Sequence, residues 1–501
     1  MTKRGGLFRH AVASGDPLAD RVVLWTRVTT GSEEPVELAW TIARDPDLRD
    51  VVASGTAASD PDADQTVHVE ASGLEPGTRY HYGFEARGER SPVARTGTLP
   101  GPGTEHLRFA MCSCAKYSAG FFNAYARIAD RHDVQFLLHL GDYIYEVSNH
   151  PPPSQTPPAD IGRSYDPDNE CVTLEDYRRR YAHYRLDPDV QRLHLTHPVI
   201  ATVDDHEFAD GVWREGSIEH REDRDGPWSA RRAAAFRSRW EWQPYRMPDP
   251  ADPERVWRTV DLGGLAELFL IDTRSRRDEP IDGAGMRDPA RSQLGPDQRA
   301  WLLGALSSST AAWRLLGNSS VMGHIWDPRL TPAAREGLGI LKMVNPEMTG
   351  PDPDQWDGYP AERDAILRAL ARGPDTVVLS GDVHVGLALD LVLDPTAGEP
   401  ARVGGEFVTT SLTSQNVDDK RGWPIHTGSV PMERAFVESL PHVRYTDFDS
   451  HGYVMVDVTP ERVLGEWWFV DSVLERTGGE ARGAAWQIRR GERRLEPAPV
   501  E

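Results

Sequence analysis

Gly141-Asp142-Tyr143-Ile144-Tyr145-Glu146 sets a carboxylate, and three residues later a phenol, directly after an apolar run from Val134 to Leu140. Apolar runs bounded by glycine suit a covered parallel strand, and open α/β sheets bind ligands at the carboxyl ends of such strands. An Asp at that position can accept a metal ion. Thr376-Val377-Val378-Leu379-Ser380-Gly381-Asp382-Val383-His384 repeats the device and adds an imidazole. Val199-Ile200-Ala201-Thr202-Val203-Asp204-Asp205-His206-Glu207 repeats it without the glycine, and Leu107 to Cys114 ends on a thiol. A single such end is an ordinary turn aspartate. Four of them, delivering Cys114, Asp142, Tyr145, Asp205, His206, Asp382 and His384 to one rim, favour a dinuclear metal site.

The elements that must position these residues fall into two kinds. Residues 7–99 read as all-β: Arg21 to Val28, Val36 to Ala43 and Thr66 to Ala71 alternate or nearly so, with turn residues between them. They predict a fibronectin- or immunoglobulin-like sandwich. No ligand cluster precedes residue 107, so this region is expected to be dispensable for metal binding. Leu99-Pro100-Gly101-Pro102-Gly103-Thr104 marks the boundary. From Leu107 strands alternate with helices, giving βαβ units across 105–475. Helices are predicted from Phe121 to Arg131, from a capping box at Thr173 to Arg185, from Ser229 to Trp242, from Pro296 to Leu306 and from Pro360 to Arg372. A proline-rich insertion after Tyr145, with His150-Pro151-Pro152-Pro153 and Pro157-Pro158, is long enough to be a lid, with a plain surface excursion at equal weight. Residues 476–501 are Arg/Glu-rich and are expected to be a peripheral tail.

The motifs resemble those of the calcineurin-like metallophosphatase superfamily and, more closely, its PhoD-like alkaline phosphatases. Matching segments are Cys114-Ala115-Lys116-Tyr117, Gly141 to Glu146, Asp204 to Glu207, Asp357 to Arg363, Ser380 to His384 and Glu406 to Ser411. Val12 to Pro17 and Val23 to Arg27 resemble the small β domain that precedes the enzyme. The likeness spans nearly the whole chain. It implies a metallophosphatase domain with two sheets sandwiched between outer helices. It also implies hydrolysis of phosphate esters by a hydroxide activated at an iron and calcium pair, with one or two Ca²⁺.

Roles carry over one residue at a time. Asp142 matches the bridging carboxylate, and Tyr145 stands where a branch of the superfamily places a phenolate on Fe(III). Cys114 and His384 complete that set. Asp205 and Asp382 stand where relatives have an amide and an imidazole; both are hard oxygen donors, which favours Ca²⁺ over Zn²⁺ or Mn²⁺, with the latter two possible. His206 matches the residue that contacts phosphate and protonates the leaving group, so Asp142 and His206 are the catalytic candidates. Asp204, Asp210 and Asn318 are candidates for the second metal or a third, or equally for structure. His324 matches the superfamily's remaining histidine ligand poorly and is left out. His139 and Cys112 are expected in the core, and Cys171 in the insertion. A phosphodiesterase on the same site is the alternative, and a non-enzymatic calcium-binding or adhesion module a more distant one.

Composition narrows the partners. The chain has 501 residues, a formal net charge of −22 and a pI near 5.2, which argues against nucleic acid and anionic membranes. A small-molecule phosphate ester is the expected partner, and nothing in the sequence fixes the oligomeric state. Only Lys3, Lys116, Lys342 and Lys420 are lysines, read here as a bias toward arginine. Three cysteines make no disulfide framework. No run approaches the ~20 apolar residues of a membrane helix, and no secretory segment opens the chain. The second point suggests a cytoplasmic protein, whereas PhoD-like enzymes are commonly exported by the twin-arginine route.

Overall fold

Leu107–Cys112 shows how the strands build the layers. Phe109 and Met111 point one way, into a core shared with Leu268, Leu315, Val377 and Phe407, while Ala110 and Cys112 point the other way, toward helices. That period of two, apolar on both faces, is what a doubly covered strand requires. In the computed structural model, which describes residues 6–151 and 157–499, two large sheets therefore stack through one apolar core. Helices Asn123–Asp130, Leu174–Arg185 and Trp228–Trp242 cover the outer face of the first sheet. Pro296–Ser308 and Pro360–Leu370 cover the second.

The first sheet has ten strands in the order Leu495–Pro497, Glu480–Arg489, Arg462–Val470, Gly452–Val458, Leu107–Cys112, Leu137–His139, Val199–Ala201, Val12–Gly15, Arg21–Arg27 and Thr66–Ser72. The second runs Arg258–Leu262, Ala266–Leu270, Trp313–Gly317, Asp375–Ser380, Arg402–Val408, Gly386–Val392 and Val443–Asp447. Its central strands, from Ala266–Leu270 to Arg402–Val408, are parallel, as are Leu107–Cys112, Leu137–His139 and Val199–Ala201 in the first. These parallel strands deliver their carboxyl ends to one side. A bridge between Ser113 and Ser411 joins the two sheets there.

The N-terminal region is all-β as expected, and its sandwich core packs Val12, Leu24 and Val69 against Leu38, Ile42 and Tyr82. It is less separate than the Pro/Gly boundary suggests. Three of its strands extend the first sheet, with Gly15 registered on Val199 in parallel. Trp25 is fully buried in the catalytic core, donates from its indole nitrogen to Glu241 O at 2.8 Å, and lies under the Arg185 guanidinium at 4.3 Å. Asp16 pairs with Arg258 at 2.6 Å.

The expected tail is corrected in the same way. Glu480–Arg489 pairs along its length with Arg462–Val470, and Ala484 and Ile488 enter the intersheet core. The Thr173 capping box forms, with Asp176 accepting from Thr173 N at 2.9 Å. In the insertion, Tyr165 and Cys171 are buried; Pro152 and Pro153 lie outside the described residues. No helix among the described residues is long and apolar enough to cross a membrane.

Removal of residues 1–103 would strip a neighbour from Val199–Ala201 and empty the Trp25 site. An exposed strand edge templates aggregation, and burying one Trp contributes about 3–5 kcal/mol. The truncated protein is expected to be insoluble or to lack a cooperative melting transition by circular dichroism. A soluble, cooperatively melting fragment that keeps its metal would show instead that the remaining sheet is autonomous.

Candidate metal centre

The turn after each strand forces its donor inward. Cys114, Asp142, Asp382 and His384 all have positive φ, at 62°, 55°, 68° and 64°. L-residues take that conformation at a cost of about 1–3 kcal/mol each, and it clusters where function demands it. The glycines before two of them make the approach possible. A Cβ on Gly141, at φ 101°, would sit 2.4 Å from Asp204 N, and one on Gly381 would sit 2.5 Å from Ser113 Oγ.

Three donor groups result, each with its atoms within 4.8 Å: Cys114, Asp142 and His384; Asp142, Asp205 and His206; Asp204, Asp205 and Asp382. Asp142 is common to the first two and Asp205 to the last two. Tyr145 joins the first, donating its hydroxyl to Asp142 Oδ2 at 2.6 Å while accepting from Ser414 Oγ at 2.6 Å. Every residue expected at the centre from the strand ends is thus in one place. His384 Nδ1 faces Gln415 O at 3.2 Å, which fixes the tautomer that leaves Nε2 as a lone-pair donor.

The electrostatics fit cations. Burial raises the carboxyls of Asp142, Asp204 and Asp382, the first two well above the usual range. Burial, then Asp142, Asp204 and Asp382, pushes the Cys114 thiol up; burial, then Asp142 and Cys114, does the same to the Tyr145 phenol. Asp204 Oδ2 is buried with no hydrogen-bond partner. These are the marks of donors that ionise together only around positive charge. Thiol, phenol, imidazole and carboxylates in overlapping groups are donors that could hold metal ions.

His206 behaves differently. Burial works against its charge, but Glu146, Asp142 and Asp205 outweigh that and hold it protonated well above its ordinary range. Glu146 Oε2 lies 2.7 Å from His206 Nδ1, and Glu146 Oε1 accepts from Asp210 N at 2.7 Å. Glu207 ties the loops together, accepting backbone N–H bonds from Asp142, Tyr143 and Asp204 at 2.9, 2.6 and 2.6 Å.

Other candidates fall outside the donor groups. Asn318 accepts from Trp356 Nε1 at 3.1 Å and donates to Ser380 Oγ at 3.0 Å, so its amide is committed to structure. Asp210 lines the neighbouring cavity, His324 faces Val392 O, and His139 is buried against the Tyr125 hydroxyl. Sequence reasoning missed Arg274, a fully buried guanidinium that pairs with Asp204, Asp354 and Asp382. Its signal was available: Asp272-Thr273-Arg274 follows Ala266–Leu270, one more parallel strand ending at the same rim.

Comparison with known proteins gives the family. The PhoD-like phosphatase model matches residues 109–467, and that of the PhoD-like phosphatase N-terminal domain matches 2–100. The chain belongs to the PhoD-like phosphatase family. Alkaline phosphatase D of Bacillus subtilis (strain 168) is 34% identical over 494 residues, covering 93% of this chain and 78% of its own. The solved structure of PhoD has a TM-score of 0.86 at 31% identity, covering 99% of this chain and 93% of that one. The protein is accordingly a phosphatase, a phosphoric ester hydrolase, with the expected fold of a β region followed by a mixed α/β domain.

Gly141→Ala tests how tightly the loops are held. The backbone term alone is about 1–2 kcal/mol, and the overlap with Asp204 adds to it. Chemical unfolding should show a loss above that figure, with reduced metal content. Gly264→Ala is the control: its φ is 73°, but a Cβ there meets nothing within 4 Å. It should lose only the backbone share and keep its metal.

Proposed function

We propose that the chain hydrolyses phosphate esters at a dinuclear centre of iron(III) and calcium. The observation that carries this reading is the overlap of the donor groups through Asp142 and Asp205. Cys114, Asp142, Tyr145 and His384 would hold iron(III). Asp142, Asp205 and Asp382 would hold calcium, with Asp204 beside them. Thiolate, phenolate and carboxylate around one position favour a trivalent ion over divalent ones. Carboxylate oxygens favour a hard cation at the other position. When bound, the ions supply an activated water as nucleophile and stabilise charge on the phosphoryl oxygens.

The chain's own residues do the rest. His206 carries the proton that the leaving alkoxide needs, and Glu146 fixes the ring by its Nδ1, leaving Nε2–H to point at substrate. Arg274 neutralises Asp204 and Asp382 from behind. A cavity of about 460 Å³, lined by Lys116, Glu146, Tyr165 and Asp210 among others, has room for the leaving alcohol. The same space would seat the second alcohol of a diester, and turnover of p-nitrophenyl phosphate against its bis ester decides between monoesterase and diesterase.

Metal identity has its own readout. Charge transfer from phenolate and thiolate should colour the concentrated protein. Tyr145→Phe should shift or bleach that band with the fold intact, and Cys114→Ser should lower iron occupancy by metal analysis. A calcium-selective chelator should suppress turnover, and Ca²⁺ should restore it. A colourless, iron-free and active wild type would overturn the iron assignment, and full restoration by Zn²⁺ or Mn²⁺ but not Ca²⁺ would overturn the calcium one.

The role of His206 predicts a leaving-group dependence. p-Nitrophenolate departs without a proton, whereas an alkoxide does not. His206→Ala should cost about 10²–10⁴ in kcat on alkyl phosphates and far less on p-nitrophenyl phosphate. Glu146→Gln should show the same pattern, weakened. Equal losses on both substrates would assign His206 to phosphate binding instead.

A further inference from the structure

Glu406 to Ser411 resembles a motif of the family, yet none of its residues belongs to a donor group. Glu406 accepts from Met322 N and Gly323 N at 2.8 and 2.7 Å, which gives it a structural role. The residues that follow have another. The strand Arg402–Val408 runs into a stretch, Thr409 to Asn416, that is buried throughout, carries no charged side chain and holds five hydroxyls. That stretch touches three of the four residues assigned above to iron. Ser414 Oγ lies 2.6 Å from the Tyr145 hydroxyl and 3.1 Å from Cys114 O, and Gln415 O faces His384 Nδ1 at 3.2 Å.

A hydroxyl has one proton to give, and that fixes the direction of each bond. The Tyr145 proton goes to Asp142 Oδ2 at 2.6 Å, so Ser414 is the donor in its own bond to Tyr145. A phenolate on a metal offers only lone pairs, so the serine donates there too. Further out, Ser411 Oγ gives its proton to Ser414 O at 2.6 Å and therefore accepts from His451 Nδ1 at 3.0 Å. The other ring nitrogen, Nε2, meets Asp419 Oδ2 at 3.0 Å, and a carboxylate only accepts. With a proton on both nitrogens His451 is an imidazolium. Burial opposes that charge, but the bond and charge of Asp419 outweigh it and raise the histidine above its ordinary range. Asp419 also accepts from Asn416 N at 3.3 Å. The His451–Asp419 pair thus clips the stretch at Ser411 and at Asn416, with Ser414 between them.

We propose that Ser414 is a positioning residue for Tyr145, braced through Ser411 by the His451–Asp419 pair, and that its hydroxyl tunes the metal by drawing charge out of the phenolate oxygen. This rests on the iron(III) site proposed above. A hydrogen bond donated to a ligand oxygen lowers what that oxygen gives to the ion, and a trivalent ion loses more by it than a divalent one. Ser414 thereby limits the preference for ferric over ferrous iron that thiolate, phenolate and carboxylate together create. It also leaves the ion a stronger Lewis acid toward water and phosphate.

The visible band that Tyr145→Phe removes is the readout, taken on protein reconstituted with Fe(III) whatever it carried when purified. Ser414→Ala should move that band to longer wavelength. It should also raise the ratio of ferric to ferrous binding about tenfold, the low end of what a hydrogen bond to a charged group contributes. His451→Gln should move both the same way by less. Thr413→Val is the control: it removes a hydroxyl from the same stretch, but that hydroxyl is bonded to Lys116 O at 2.9 Å and not to a donor side chain. Its band should match the wild type. A band unmoved in Ser414→Ala, or moved equally in Thr413→Val, overturns the role of Ser414. A band moved in Ser414→Ala but not in His451→Gln overturns the brace alone. Metal analysis of the protein as purified separates this from the iron reading. Iron-free protein whose reconstituted band shifts in Ser414→Ala overturns only the iron reading, and iron-bearing protein whose band does not shift overturns only the role of Ser414. A reconstituted wild type without the band overturns both.

Discussion

Asp142, Asp204, Asp205 and Asp382 crowd one buried volume, and their mutual repulsion is the interaction the surrounding structure has to contain. Two like charges at about 4 Å repel by about 4 kcal/mol at an effective dielectric near 20. A hydrogen bond returns about 0.5–1.5 kcal/mol net, so hydrogen bonds alone do not hold such a cluster together. Either the carboxyls take up protons or positive charge offsets them. The protein supplies Arg274 behind the cluster and His206 in front, and metal ions would offset the rest. Glu207 adds a carboxylate to the same volume, but its oxygens are spent on three backbone N–H groups.

That requirement reaches out to the fold. Donors from different strands meet only if several parallel strands end at one level and turn sharply, and the positive φ values at Cys114, Asp142, Asp382 and His384 are the cost. Strain of that kind persists only where the surroundings over-determine it. Here the rigidity comes from two sheets packed on one core, closed at their ends by the bridge between Ser113 and Ser411. The N-terminal strands belong to this frame, because they continue the sheet that carries Cys114, Asp142 and Asp205.

The strand-end device made the donors legible in the sequence, since an apolar run, a glycine and a ligand form a local pattern. The two-part fold was legible for the same reason: alternation and turn residues are local too. What escaped depends on pairing between distant segments. Val12–Gly15 joins Val199–Ala201, which no local pattern announces. Asp354 lies in an irregular loop, and its partnership with Arg274 and Arg277 is tertiary. One other miss was an error of weighting. The high charge after residue 476 hid the alternation of Ala484, Trp486 and Ile488 toward the core.

The two halves of the centre differ in access to water, and that difference organises its chemistry. Cys114, Asp142 and Tyr145 are at most 1% exposed, and their donors include the soft sulfur and the phenol. An ion held there is shielded from exchange and surrounded by anions that gain most from a dry setting. Asp382 and His206 have side chains about 15% exposed, and Glu146, the partner of His206, lines the neighbouring cavity. In the proposed reaction, substrate would meet the more open half, where His206 would supply the proton. In the proposed centre the dry half would fix geometry and charge, while the wet half would exchange protons and ligands. Arg274 bridges Asp204 and Asp382, so one guanidinium offsets the charge of carboxylates from both sheets.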